Sequence, residues 1–115
     1  MRTITKAASE GHAGARIALD VFCFRLSRCI GGIAMSLPRI DALIFTGGIG
    51  ENSAVVREQV MHNLQLLGYR VDVEKNACNG KNANGRISLD HTPLAMVIPT
   101  NEELLIALDT ESLVR

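Results

Sequence analysis

Apolar and polar positions along this chain follow two periods. Over residues 13–37, Ile17, Phe22, Leu26, Cys29 or Ile30, Ile33 and Leu37 recur at steps of three to five, the spacing of one helix face. At about 1.5 Å per residue the predicted helix is roughly 35 Å long. Arg16, Asp20, Arg25 and Arg28 decorate its wetter side, and Pro38 ends it. Gly31-Gly32 costs about 1 kcal/mol per residue relative to alanine, which predicts a close-packing contact there. Residues 3–10 read as a shorter helix stopped by Gly11.

The apolar run at residues 42–45 reads as a short buried strand. It enters a predicted loop with Gly47, Gly48 and Gly50, and a helix opens near Ser53. That helix runs to about residue 66, with Val56, Val60, Asn63 or Leu64 and Leu67 inward and Gly68 as C-cap. Tyr69, Val71 and Val73 alternate as a strand, and residues 74–78 suggest a helical turn. An Asn/Gly/Lys-rich stretch covers 76–85. Strands at 86–89 and 94–98 flank a turn at Asp90-His91-Thr92-Pro93 and suit an antiparallel hairpin. A last helix covers 101–113. The order α-β-α-β-β-β-α predicts an α/β architecture, a mixed sheet flanked by helices. The 115 residues make one domain or part of one.

Hydrophobic residues are 47% of the chain but aromatics only 3%, so the core is aliphatic. Twelve basic and twelve acidic side chains cancel, which favours neither nucleic acid nor an anionic membrane. The mainly apolar run 21–37 is broken by Arg25, Arg28 and two glycines and does not read as a membrane span. No secretory signal pattern is visible at the N-terminus. Cys23, Cys29 and Cys78 lack metal-type spacing, and Cys23 and Cys29 fall on different faces of one helix. Reduced thiols and a cytoplasmic home are expected.

Candidate chemistry gathers in two places. The strand–glycine–helix stretch 41–53 suits an anion, since glycines let backbone approach a ligand and a helix start attracts phosphate. A tight turn capped by Asn52 or Ser53 explains the same residues without a ligand. A P-loop is excluded because no Gly-Lys-Ser/Thr follows. Gly48-Ile49-Gly50-Glu51-Asn52-Ser53 approximates a dinucleotide fingerprint, with Asp72 at a suitable distance, but lacks the third glycine. An actin-like phosphotransferase lobe is the third reading. The other place is Pro99-Thr100-Asn101-Glu102-Glu103-Leu104. Thr100 and Glu103 match a capping box. Glu102 is left to complement the helix dipole or to ligate Mg²⁺ beside phosphates. His12, His62 and His91 are scattered and read as structural or exposed.

Phe45-Thr-Gly-Gly-Ile-Gly-Glu-Asn-Ser53, then Val55-Val-Arg57 and Ile98-Pro-Thr-Asn-Glu-Glu-Leu104, closely resemble the C-terminal part of the acetate and propionate kinases. The likeness extends over Glu10-Gly-His12, the long helix and Ala107-Leu-Asp-Thr110. It implies the C-terminal part of an actin-like fold of the acetate and sugar kinase/Hsp70/actin type. The implied reaction is reversible phosphoryl transfer between ATP and a short-chain carboxylate, giving acyl phosphate and ADP. By the resemblance Gly48, Ile49, Gly50, Glu51 and Asn52 match the nucleotide-binding loop, and Glu102 matches the Mg²⁺ ligand. Arg2 resembles the end of a nucleotide-contact motif. The resemblance also implies a homodimer in the full-length enzyme. Family members are more than three times this length, so residues 1–115 are expected to be a partial domain without the N-terminal lobe. No catalytic residue is assigned within them, and alone they are expected to be inactive.

Overall fold

A computed structural model describes residues 1–115. Helices α1 (Arg2–Ser9) and α2 (Ala13–Ala34) pack as a pair. His12 caps α2, its Nδ1 accepting the Ala15 N–H at 3.1 Å. Helix α2 buries Leu19, Cys23, Ser27 and Ala34, with Phe22, Leu26 and Ile30 partly covered. Ile17, Ile33 and Leu37, expected on that face, are at least half exposed. Ser27 lies on the buried face, its hydroxyl satisfied by donating to the Cys23 carbonyl at 2.7 Å. Added Cβ atoms at Gly31 and Gly32 would meet nothing within 4 Å. The glycine pair therefore makes no close-packing contact here.

Strand β1 (Leu43–Phe45) pairs in parallel with β2 (Ala95–Val97), Phe45 opposite Val97. The Ile98 N–H closes the ladder by donating to the Phe45 carbonyl at 3.0 Å. Residues 86–89 run antiparallel to β2, as expected, but through a single bridge, Arg86 with Met96. Residues 69–73 likewise contribute only the bridge Val71–Ser88. Val73 is not a strand residue. Asp72 Oδ1 accepts the Lys75 N–H at 3.1 Å and so starts helix α5 (Val73–Ala77).

Helix α4 (Ala54–Asn63) is capped by Ser53 and followed by a 3-10 turn, Gln65–Leu67. Gly68 ends that turn in the left-handed region at φ +90°, the C-cap its sequence predicts. Val56, Val60 and Met61 of α4, with Leu64 beyond it, meet Leu19 and Cys23 of α2 and Phe45, Ala95 and Val97 of the sheet. Tyr69 and Ile87 complete this core. Full burial of each aliphatic side chain contributes about 1.5–3 kcal/mol.

Helix α6 (Glu102–Val114) stands apart. It buries no residue, and Leu104, Leu105, Ile106 and Leu108 are each more than half exposed. The accessible surface is 8060 Å², against about 6100 Å² for a compact chain of this mass. The radius of gyration is 16.3 Å, against about 13 Å. The chain is thus more extended, and has more accessible surface, than a compact monomer of its mass.

Candidate functional site

Parallel pairing brings the C-terminal ends of β1 and β2 side by side, where α/β folds tend to place ligands. Each strand end leads into a helix: β1 through Thr46 into α3 (Gly47–Asn52), and β2 through residues 98–101 into α6. The glycine-bearing segment is therefore a short helix rather than the loop the sequence suggested. Thr46 is extended, and Gly47 at φ +71° makes the reversal that lets a helix start directly after it. Gly50 serves a different need. A Cβ there would lie 3.1 Å from the Phe45 carbonyl carbon, so its absence lets α3 rest on the strand end. At Gly48 an added Cβ meets open space.

Two sets of bonds anchor α3. The Glu51 Oε1 accepts the Gly47 N–H at 2.9 Å, the Thr100 N–H at 2.9 Å and the Thr100 hydroxyl at 3.1 Å. These bonds, led by that from the Thr100 backbone, hold the Glu51 carboxyl below its ordinary pKa. Thr100 is thus spent on Glu51, and the capping box with Glu103 does not form. Asn101 caps α6 instead, its Oδ1 accepting the Leu104 N–H at 3.1 Å. Asparagine caps as well as threonine does, and a carboxylate 49 residues earlier took the threonine. Asn52 is not a cap either; its Nδ2 donates to the Gly48 carbonyl at 2.8 Å.

The other anchor is Arg57, fully buried on α4. Its Nε donates to Asn76 Oδ1 at 2.7 Å. Nη1 reaches the Gly50 carbonyl at 2.7 Å and the Glu51 carbonyl at 3.1 Å. Nη2 reaches the Asn76 carbonyl and Asn79 Oδ1, each at 2.7 Å. No carboxylate pairs with it. Carbonyl dipoles at the negative end of α3 take that place. Asn79, at φ +57°, adds an Nδ2 bond to the Glu51 carbonyl at 2.9 Å. Arg57, Asn76 and Asn79 have no role readable from the sequence, and Thr100 reads there only as a helix cap. The one available signal was an arginine at an inward position of an otherwise apolar helix stripe.

A groove of about 730 Å³ opens between α1 and α3, and Arg2, Lys6, Gly48, Ile49 and Asn52 all line it. The structure thus brings Arg2 together with three of the five expected nucleotide-loop residues. Gly50 and Glu51 lie behind it as support, and Glu102 is not on its wall. Glu102 and Glu103 are both exposed in the first turn of α6. No cluster of three or more His, Cys, Asp or Glu side chains able to hold a metal occurs. A lone exposed carboxylate suits a Mg²⁺ ion carried mainly by phosphates and water, so Glu102 fits as a contributed ligand but is no metal site by itself. Asp72 is taken up by the cap of α5 and by Lys75 at 3.3 Å, which removes it as a ribose contact. His62 and His91 are exposed, and all three cysteines are free, with only Cys23 buried. No helix is long and apolar enough to cross a membrane.

A propionate kinase from Francisella tularensis subsp. tularensis SCHU S4 superimposes with a TM-score of 0.82 at 36% identity, over 92% of this chain and 27% of that one. The acetate kinase of Porphyromonas gingivalis gives 0.78 at 31% identity, over 99% and 29%. The fold is accordingly the C-terminal part of the acetate and sugar kinase/Hsp70/actin type of α/β fold, as expected. In sequence, the acetate kinase of Stutzerimonas stutzeri (strain A1501) is 47% identical over 113 residues, 98% of this chain and 29% of that protein. The model of the acetokinase family matches residues 1–108, and the chain belongs to that family. It spans about 29% of the length of the curated relatives it matches.

Proposed function

We propose that residues 1–115 form one partial domain, the nucleotide-binding part of an acetate or propionate kinase, and that the groove between α1 and α3 receives ATP or ADP. The observation that carries this reading is the meeting of Arg2 with Gly48, Ile49 and Asn52 around one groove. Arg2 and Lys6 supply positive charge for phosphate oxygens. Gly48, without a side chain, leaves room for close approach. Arg57 and Asn79 hold α3 in place from behind, so that binding need not order it. Glu102 would hold Mg²⁺, which when bound neutralises charge on the phosphates in transfer to a short-chain carboxylate. The full reaction belongs to longer members of the family. The chain alone carries no groups assigned to carboxylate binding or phosphoryl transfer and has no measurable turnover in this reading. The exposed apolar face of α6 fits a surface that additional chain or a second subunit covers, and the protein is cytoplasmic.

Calorimetric titration of ADP into the 115-residue protein, with and without Mg²⁺, tests the proposal. Saturable binding is expected, strengthened by Mg²⁺ in the parent and in Glu103→Ala but not in Glu102→Ala. Absence of ADP binding overturns the reading and leaves a module that contributes only fold or subunit contacts. Binding of NAD in place of ADP would restore the dinucleotide reading.

A further inference from the structure

Glu51 was expected to touch nucleotide, yet its carboxylate is turned away from the groove and does something else. Its Oε1 gathers three donors from two segments: Gly47 N–H at the start of α3, and Thr100 N–H and Oγ1 at the exit of β2. Thr100 stands two residues before Glu102 and one before Asn101, which caps α6. Helix α6 has no buried residue of its own to fix its start. The direction in which Glu102 leaves the sheet is therefore set by the strand ladder ending at Ile98, by the Asn101 cap and by Glu51. The ladder ties the segment to Phe45 of β1, and the Asn101 cap lies within α6 itself. Only Glu51 joins that segment to α3. From this geometry we infer that Glu51 is a positioning residue that couples the two halves of the site, holding the start of α6, and with it Glu102, in register with the glycine helix. The inference rests on the nucleotide reading above and adds to it a division of labour.

That division follows from the two anchors being separate. The Arg57 and Asn79 bonds reach α3 through the Gly50 and Glu51 carbonyls and do not involve the Glu51 carboxylate. Removing the carboxylate leaves α3 held from behind and the groove wall intact. What is lost is the tie between residues 47 and 100. Glutamine keeps an acceptor oxygen in the same place, and alanine keeps none.

The test is ADP titration with and without Mg²⁺ on the parent, Glu51→Ala and Glu51→Gln, together with amide hydrogen exchange. In the parent, Mg²⁺ should strengthen ADP binding by at least about fivefold, an ordinary size for coupling between two sites. In Glu51→Ala, ADP affinity without Mg²⁺ should stay within about twofold, while the Mg²⁺ effect falls to nearly nothing; Glu51→Gln should restore it. Exchange should quicken at the Gly47 and Thr100 amides of Glu51→Ala and stay slow at the Ile98 amide. Should Glu51→Ala not fold, Thr100→Val, which removes one of the three bonds at an exposed position, should show a smaller loss of the same kind. A parent that does not bind ADP refutes the nucleotide reading and the inference with it. A parent that binds, beside a Glu51→Ala that keeps full Mg²⁺ coupling, refutes the inference alone. Loss of all ADP binding in a folded Glu51→Ala also refutes it, because the carboxylate would then be supporting α3 itself.

Discussion

Arg57 carries the most polar connections of any buried side chain here, and its replacement has a calculable consequence. Arg57→Met keeps most of the aliphatic stem and removes five N–H···O bonds. Two of the acceptors keep another donor: the Glu51 carbonyl retains Asn79 Nδ2, and the Asn76 carbonyl retains the Asn79 N–H. Asn76 Oδ1, Asn79 Oδ1 and the Gly50 carbonyl are left without one. A buried polar group stripped of its partner costs about 1–3 kcal/mol. Gly50 and Asn79 are only partly covered, so water relieves part of their cost. The sum is about 3–5 kcal/mol, a large part of the roughly 5–15 kcal/mol available to a domain. Arg57→Lys keeps the charge but offers three donors for five acceptors and should fall between parent and methionine variant. Urea unfolding followed by circular dichroism measures both. With m near 2 kcal/mol per M, Arg57→Met should lower the midpoint by about 2 M at unchanged m. A methionine variant within about 0.5 kcal/mol of the parent would mean that the guanidinium network is not holding α3 to α4 and α5.

Three further outcomes follow from particular contacts. Gly32→Ala should stabilise the protein by about 0.5–1 kcal/mol in the same unfolding assay, because its Cβ meets open space on a helix; destabilisation would show that something covers that face. Gly48→Val should weaken ADP binding at least tenfold, about 1.4 kcal/mol, with little change in the helix signal, whereas Gly50→Val should unfold the segment against the Phe45 backbone 3.1 Å away; equal ADP affinity in Gly48→Val would place the nucleotide elsewhere. The Glu51 carboxyl has its pKa lowered in the fold, chiefly by the Thr100 N–H, so its stabilising contribution is present above the ordinary value of 4.5 and lost as pH falls through the lower folded value. The difference in melting temperature between parent and Glu51→Gln, followed from about pH 7 to about pH 3, should therefore shrink at the acid end, and a difference constant with pH would contradict the bonding described.

What was legible in the sequence was what depends on near neighbours. Helices α1, α2, α4 and α6, the Ser53 start, the Gly68 stop and the strand that feeds the glycines all have local signals, and the motif likeness pointed to the family. Longer-range bonds decided the rest. Thr100 looked like a helix cap because its partner 49 residues away cannot be seen from spacing. Val73 looked like a strand residue because alternation was weighed without the Asp72 cap that starts α5. The α2 stripe was misjudged where Ser27 satisfies itself on Cys23 and passes for apolar. Gly50 reads from the sequence as a glycine that lets a ligand come close, and its need is for space beside Phe45. Arg57 was hidden for the opposite reason: a charged residue on an inward face reads as an interruption unless its carbonyl partners are known.

The proposed function depends on nucleotide occupying the groove between α1 and α3. Amide chemical shifts of ¹⁵N-labelled protein, followed through an ADP titration in the presence of Mg²⁺, test it residue by residue. The account predicts saturable shifts at Arg2, Lys6, Gly48, Ile49 and Asn52, smaller ones reaching Thr100 and Glu102, and none around Gln65, Arg70 and Leu89, which line a separate groove of about 490 Å³. Shifts confined to that second groove, with Gly48 and Arg2 unmoved, would contradict it.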